Sequence, residues 1–566
     1  MKIMLIQPPI QDFYETDIRL QPLGLCMLKA TVRKFLPQVD IHVRDYHQGF
    51  GRKTLALPPD LSYLHEYYAC PDSSPFSAFY HYYHFGAPFE VIGRDVERER
   101  PDLVGISSLF SAYHREALAC AREIKRRIGV PIMLGGSHVS ASPLTALNDP
   151  DVDFIIRGEG ERPFVEFLKA FQSGTSLEQV PNLGFKKKGA PVLNPLEDNY
   201  GLDEMPLANL SDLPVTRYLI DKQPLCFLST SRGCPHRCTF CSVHLTFGKK
   251  FRMRSVPNII SEIRQRHTDG YRAFDFEDDN LSFDKTRFEE LLEGLISEFQ
   301  GKDLRFMAMN GISYLSLDRE TLQLMKKAGF THLNLSLVSA EEKVLRRAGR
   351  PHTVPKYLEV VEQAHSLSFE IVSYQILGLP YETLEEMIGT MAFMASLPVL
   401  IGASIFYLAP DAPMTTQFPV MTDADTFKSR STAMAFETEE FSRDDLFTLF
   451  ITARIVNFLK ALKLGAEEAT MAEALEAASK AGDRQEKGTF LLNLLFEERV
   501  LYAATRQGLK ARPRFKAALF FRVLKEARHI KTLDGGLIHL SPFIQSPKQG
   551  PAPRGAMTEV GCAGGI

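Results

Sequence analysis

Ser231-Arg232-Gly233-Cys234-Pro235-His236-Arg237-Cys238-Thr239-Phe240-Cys241 decides how the rest of this 566-residue chain is read. Three of the eight cysteines fall within eight residues here. The other five, Cys26, Cys70, Cys120, Cys226 and Cys562, are scattered. A disulfide framework spreads cysteines through a small secreted domain, so the cluster points to metal and the scattered thiols to burial. Three thiolates on one short loop bind three irons of a cubane and leave the fourth iron open to another ligand. A closed zinc site takes four ligands; His236 or His244 would supply the fourth, which is the competing reading.

Outward from this loop, strands alternate with helices. An apolar run at 225–229 precedes it, and further strand-like runs follow at 273–276, 304–309, 332–337, 369–377 and 403–408. Helical stretches such as 256–266 and 321–328 separate them. Six βα units predict a partial (βα)6 TIM-like barrel, with function at the carboxyl ends of its strands. Upstream, strands at 2–6, 39–43, 103–107, 131–134 and 154–156 alternate with helices at 23–35, 114–127 and 161–171. That is the pattern of a doubly wound parallel sheet, Rossmann or flavodoxin-like, which binds ligands at the same end of its strands. Residues 52–96, rich in Tyr, His and Pro, read as an insertion over that edge. After about 416 the patterns are helical, at 443–462, 466–480, 489–505 and 514–529, with no strands. The expected α/β chain has five parts: 1–180, a linker 181–223, the barrel 224–416, a helical C-terminal domain 417–545 and a tail 546–566 whose Pro and Gly predict disorder.

A net charge of −3 gives no pull toward nucleic acid or an anionic membrane. No apolar run reaches the roughly 20 residues of a membrane span. The N-terminal apolar stretch is too short for a signal peptide, so a cytoplasmic protein is expected. Residues 514–531 are basic and amphipathic, which suits a packed helix or, alternatively, a membrane-surface contact.

The cysteine motif, CxxxCxΦC after the first strand of a partial barrel, resembles that of the radical S-adenosylmethionine superfamily. The resemblance implies a [4Fe–4S] cluster on Cys234, Cys238 and Cys241, whose open iron takes the amino and carboxylate groups of S-adenosylmethionine. An electron then cleaves the sulfonium and releases a 5′-deoxyadenosyl radical. It also implies an external electron donor such as a flavodoxin or ferredoxin. Phe240 is expected at the adenine. Asp278, Asp279 and Asn280, ending the second barrel strand, are expected at the methionine ammonium. Ser336 and Ser339 are expected at the ribose or carboxylate. Gly378, in Gly378-Leu379-Pro380-Tyr381-Glu382-Thr383, is similar to a family turn that meets adenine. No residue is assigned as a catalytic acid or base.

The N-terminal part resembles the cobalamin-binding domain fused to one class of these enzymes. The matching pieces are Gln7-Pro8-Pro9, Pro22-Leu23-Gly24-Leu25, Pro101-Asp102-Leu103-Val104-Gly105-Ile106-Ser107, Gly135-Gly136-Ser137-His138 and Arg157-Gly158-Glu159-Gly160-Glu161. Ser107, Ser108, Gly135 and Gly136 are expected at the nucleotide tail of the corrinoid. The Asp-x-His-x-x-Gly loop of classical cobalamin domains is missing after the first strand. Asp45-Tyr46-His47-Gln48-Gly49 is similar but follows the second strand, so His47 reads as an ordinary loop residue. The resemblance implies a cobalamin-dependent methyltransferase acting on an unactivated carbon of an unidentified substrate. The alternatives are an anaerobic oxidative cyclase or rearrangement enzyme of the same architecture, and a non-catalytic iron–sulfur or corrinoid carrier.

Overall fold

The computed structural model describes residues 1–15, 20–197 and 200–540; the expected tail, with Cys562, lies outside them. Strand β1 (Lys2–Gln7) is apolar on both faces. Ile3 and Leu5 enter one core, and Met4 and Ile6 enter a second on the opposite side. A strand buried on both faces belongs in the middle of a helix-covered parallel sheet. It pairs in parallel with β2 (Asp40–Asp45) and β3 (Leu103–Ser107), and β4 (Ile132–Gly135) and β5 (Phe154–Ile156) extend the sheet. The order β2-β1-β3-β4-β5 is that of flavodoxin-like sheets, with the switch point beside β1.

Two antiparallel strands, β6 (Leu183–Lys187) and β7 (Ala190–Leu193), continue the sheet beyond β5. The sheet thereby takes the first part of the expected linker. Pro191 reads as a loop signal, yet it sits on the edge strand, where a missing N–H is tolerated. Residues 52–96 also divide. Phe89–Glu99 is the crossover helix ahead of β3 and packs against His114–Ile128. The remainder contributes Arg52–Leu55 and Tyr82–Phe85 to a small antiparallel sheet with Ile10–Asp12. Ile10–Asp12 follows β1 and Arg52–Leu55 follows β2, so this sheet sits at the carboxyl ends of β1 and β2. His47 is buried beneath it, with Nδ1 3.4 Å from the Phe85 carbonyl.

The barrel strands are β8 (Gln223–Leu228), β9 (Ala273–Phe276), β10 (Arg305–Met307), β11 (His332–Val338), β12 (Glu370–Leu377) and β13 (Leu400–Ile405). They run parallel in chain order, β8-β9-β10 and β11-β12-β13, joined by the bridges Phe306 to Phe330 and Ile312 to Leu335. Strand β13 starts three residues earlier than its apolar run suggests. Gly402 breaks that run because the Tyr374 ring occupies the space a side chain would need.

Beyond the barrel, the helix Arg443–Lys460 lies along β13. Asn457 accepts from Ile401 N (2.8 Å) and donates to Ile401 O (2.9 Å), while Ser431 Oγ accepts from Ile405 N (2.9 Å). Side chains thus occupy bonds an edge strand would otherwise offer to another chain. The C-terminal region is mainly helical but holds short strands, Glu468–Thr470, Tyr502–Thr505, Gly508–Ala511, His529–Lys531 and Leu537–His539. Three or four residues are too few for alternation to separate a strand from a helix end. The helix Ala517–Ala527 buries Leu519, Phe520, Phe521, Val523 and Leu524 against Leu384–Ala395 and Arg443–Lys460. Its apolar face is therefore spent on packing and not offered to a membrane surface. Among the described residues no helix is long and apolar enough to cross a membrane.

Candidate functional site

The cysteine loop leaves β8 through Ser231–Arg232, which pairs antiparallel with Arg252–Met253 and so closes the loop at its base. Gly233 has φ +83°, and a Cβ there would lie 2.5 Å from the Lys250 carbonyl oxygen, so only glycine fits. The loop is fastened to later elements: Thr239 N donates to Ala348 O (3.0 Å) and Met414 N to Thr239 O (2.9 Å). Cys234, Cys238 and Cys241 are partly exposed, whereas Cys26, Cys70, Cys120 and Cys226 are buried. Burial pushes the Cys238 thiol up and the Cys241 thiol to about 11. Among the described residues no three His, Cys, Asp or Glu side chains converge on a point where a single ion would bind. Zinc takes its ligands on one centre; a cubane takes one thiolate per iron.

Asn280 Nδ2 lies 3.6 Å from Cys234 Sγ, and Arg350 Nη1 lies 3.9 Å from Cys238 Sγ. Asn280 Oδ1 and Arg350 Nε are buried with no partner among the described residues. Buried polar atoms are rarely left unpaired, so an acceptor and donors around the thiols fit a polar group such as a cluster-bound amino acid. Sequence reasoning missed Arg350. Its signal is weak, since it stands 112 residues from Cys238 in the chain.

The acidic turn after β9 splits by function. Asp278 is fully enclosed and accepts from Thr230 N (3.1 Å), Thr230 Oγ1 (2.8 Å), and the N–H and hydroxyl of Ser231. It is not free to meet an ammonium; it ties the exit of β8 to the exit of β9. Asp279 accepts from Gly233 N (3.1 Å), and burial raises its carboxyl to about 6. Asn280 is the member whose acceptor remains unused. We expect Asp278→Ala to lower the iron bound after reconstitution, because it strands four donors at about 1–3 kcal/mol each. Asn280→Ala should keep its iron but bind S-adenosylmethionine about tenfold more weakly. Iron assay and equilibrium binding on both variants check this, and the reverse pattern would contradict it.

Other expected positions sort likewise. Ser336 receives Arg350 through its carbonyl (2.7 Å) and hydroxyl (3.3 Å), so it orients that guanidinium. Ser339 is buried, bonded to Thr390 Oγ1 (3.1 Å) and accepting from Glu341 N (3.2 Å), and so is structural. Gly378 N donates to Met387 Sδ (3.1 Å), and a Cβ would lie 2.9 Å from Leu446. That turn is shaped for packing against the C-terminal helix. Phe240 lies against an apolar group that includes Leu345, Leu379, Phe406 and Met414.

In the first domain, Ser107 pairs with Gly135 across β3 and β4, and Ser108 N donates to Gly135 O (2.7 Å). Ser108 Oγ is buried without a partner among the described residues. Gly136 has φ +117°, and a Cβ there would lie 2.6 Å from the Ser108 carbonyl. Leu109 and Phe110, next in sequence, stay 40 % and 46 % exposed. An unpaired hydroxyl, bare backbone and exposed apolar side chains fit a ligand with a polar tail and a broad apolar face.

The two edges meet. Ser137–Ala141, after Gly136, packs against His244–Phe247, which follows Cys241. Behind this contact is a buried ionic group that sequence reasoning did not find. Arg232 pairs with Glu161 and lies 3.5 Å from Glu159, which also pairs with Arg252; Tyr200 OH donates to Glu161. The two glutamates come from Arg157-Gly158-Glu159-Gly160-Glu161, and Arg232 is two residues before Cys234.

The Radical SAM superfamily model matches residues 228–394, and the B12 binding domain model matches residues 81–168. An uncharacterized methyltransferase of Pyrococcus horikoshii is 28 % identical over 408 residues, 70 % of this chain and 79 % of the relative. The cobalamin-dependent radical enzyme OxsB, solved with aqua-cobalamin and S-adenosylmethionine bound, superposes with a TM-score of 0.60 at 15 % identity, covering 87 % of this chain and 72 % of that one. The radical methyltransferase TsrM of Kitasatospora setae, solved with cobalamin and a [4Fe–4S] cluster, gives 0.56 at 16 % identity over 74 % and 77 %. The structural likenesses show a shared fold, and the two domain matches fall on the two edges that meet. The chain carries a radical S-adenosylmethionine domain with a B12-binding domain ahead of it.

Proposed function

We propose that the chain is a cobalamin-dependent radical methyltransferase that alkylates an unactivated carbon, with Cys234, Cys238 and Cys241 each holding one iron of its cluster. One observation carries this reading: the Gly135-Gly136 edge and the cysteine loop touch through Ser137–Ala141 and His244–Phe247. Methyl transfer needs both cofactors to face one substrate, whereas a carrier needs no such junction. When bound, the cluster and S-adenosylmethionine supply a 5′-deoxyadenosyl radical, and cobalamin supplies the methyl group.

The chain's own residues bind and orient. Asn280 Oδ1, seconded by Asp279, accepts from the methionine ammonium, and Arg350 Nε donates to its carboxylate. Asn280 Nδ2 and Arg350 Nη1 point donors at the Cys234 and Cys238 sulfurs. Hydrogen bonds to cluster sulfurs are one lever on reduction potential. Phe240 forms an apolar wall for the adenine. Ser108 Oγ and the bare backbone at Gly136 receive the corrinoid tail. An external one-electron donor such as a flavodoxin or ferredoxin is required, and a cytoplasmic location suits that need. The test is anaerobic incubation of the reconstituted protein with candidate metabolites, read by mass spectrometry. A product heavier by one methyl group supports the reading. A product with unchanged carbon count would favour a cyclase or rearrangement enzyme, and absence of any S-adenosylmethionine cleavage would favour a carrier.

A further inference from the structure

The radical chemistry proposed above needs electrons one at a time from another protein. Electron tunnelling falls off steeply with distance, so such a donor must dock where the cluster's ligands lie close to the surface. Two sides of the cysteine loop are already taken. His244–Phe247 packs against Ser137–Ala141 of the first domain, and Thr239 is bonded to Ala348 and Met414 on the side of the later barrel strands. The start and the end of the loop instead meet around Phe283, in the turn after β9. That ring keeps 40 % of its surface exposed. It meets His236 edge-on at 5.7 Å and Phe251 edge-on at 5.0 Å. His236 stands two residues from both Cys234 and Cys238, so a pair of rings leads from the surface to two of the thiols.

The same side is basic. Residues 222–261 hold seven Lys or Arg and no Asp or Glu, in a chain whose net charge is −3. Three of the seven are paired with carboxylates: Arg232 with Glu161, Arg252 with Glu159, and Arg254 with Glu262 at 2.6 Å. Arg237, Lys249 and Lys250 are exposed, and among the described residues none of them has an ion pair. Arg237 adjoins His236 and Lys250 adjoins Phe251, so these cations flank the Phe283 ring. The Arg237 carbonyl lies against Gly349, where a Cβ would come within 2.5 Å of it, so the exposed Arg347 belongs to the same patch. Of the acids bordering it, Asp284 is committed to Arg287 N (3.1 Å) and Glu342 to Arg346 (3.3 Å). An apolar ring rimmed by unpaired charges of one sign is the anatomy of a steered protein contact. A nucleic acid favours a longer stripe of such charges along its backbone.

We propose that Phe283, Arg237, Lys249 and Lys250 form the docking face for a small acidic electron-carrier protein, which delivers one electron to the cluster from the Phe283 and His236 side. A flavin hydroquinone carrier leaves as its semiquinone, and a reduced iron–sulfur carrier leaves oxidised. No bond is made or broken in this chain. The assignment rests on the iron–sulfur reading of the cysteine loop above.

The test is titration calorimetry of the reconstituted full chain with oxidised flavodoxin and, separately, oxidised ferredoxin, so that binding is read without turnover. The unmodified chain should bind at least one carrier. Its affinity should fall as salt rises from about 0.01 to 0.15 M and the Debye length shrinks from about 30 to about 8 Å. Arg237→Glu combined with Lys250→Glu should weaken binding about tenfold or more. Reduction of the cluster by the same carrier, followed by electron paramagnetic resonance, should slow to a like degree. Lys302→Glu combined with Lys327→Glu makes the same change of charge at residues leading into β10 and β11, at the opposite end of the barrel. That variant should bind as the unmodified chain does. Photoreduction by uncharged 5-deazariboflavin should reach the cluster equally in all three proteins. Binding of neither carrier by the unmodified chain, even where it binds a single-stranded oligonucleotide, would overturn the proposal. Equal binding by all three proteins, or equal weakening in both variants, would do the same. Iron content reports the cluster reading separately: a chain without iron fails that reading, and an iron-loaded chain indifferent to the Arg237 and Lys250 substitutions fails this one.

Discussion

Replacing any one of Cys234, Cys238 or Cys241 by Ala is expected to abolish the charge-transfer absorption of the cluster and all cleavage of S-adenosylmethionine. The three thiols are the partly exposed cysteines of the described chain, and they stand on a loop closed at its base by Ser231–Arg232 and Arg252–Met253. A cubane that loses one of three thiolates keeps only two protein ligands from this loop. Cys120→Ala is the control. Cys120 is buried in the first domain's second core, and burial pushes its thiol well up, so it packs as a small apolar side chain. That variant should lose some stability and keep its iron. Iron retained by Cys238→Ala but lost by Cys120→Ala would remove the motif assignment.

The largest stability effect is expected at Glu161. Glu161, Glu159 and Arg232 are each no more than 6 % exposed. Burial pushes the Glu161 carboxyl up, but Arg232 and Tyr200 outweigh it and hold the group below the ordinary carboxylate range. Its contribution is therefore complete above the unfolded pKa of about 4.3. It is lost as pH falls through the lower folded value. Glu161→Ala leaves the Arg232 guanidinium partly uncompensated in the interior, which costs about 3–5 kcal/mol. The exposed pair Lys169 and Glu166 supplies the comparison, and Glu166→Ala should cost no more than about 1 kcal/mol. Denaturant unfolding at neutral pH measures both. Because Arg232 precedes Cys234 by two residues, Glu161→Ala should also reduce iron loading. Equal unfolding midpoints for the two variants would contradict this account of the junction.

What the sequence makes legible is what is local. The cysteine spacing lies within one loop, and β1 through β5 declare themselves as short apolar runs, of which β1, β4 and β5 are closed by Pro or Gly. Partners distant in the chain do not declare themselves. Arg350 reaches Cys238 across 112 residues, and Glu161 reaches Arg232 across 71. Asp278 and Asn280 are two residues apart in one acidic turn. Only the register of the strand exits sends the first to Thr230 and Ser231 and the second to Cys234. Ser339 and Gly378 stand at strand ends where a ligand contact is plausible, yet packing with Thr390, Met387 and Leu446 claims them. The strands β6 and β7 stay hidden because Pro191 and Gly189 mimic a loop, although an edge hairpin tolerates both.

The central claim is that one chain presents an iron–sulfur loop and a corrinoid edge to the same cleft. Metal content of the reconstituted full chain tests it most directly, with Gly136→Val beside the unmodified protein. A side chain at Gly136 would strike the Ser108 carbonyl at the edge assigned to the corrinoid tail. The atoms nearest such a Cβ belong to Ser108 and Leu109, none to the cysteine loop. The expected result is about four irons per chain in both proteins, with stoichiometric cobalt in the unmodified protein and little or none in Gly136→Val. Zinc in place of iron, or full cobalt retained by a folded Gly136→Val, would contradict it.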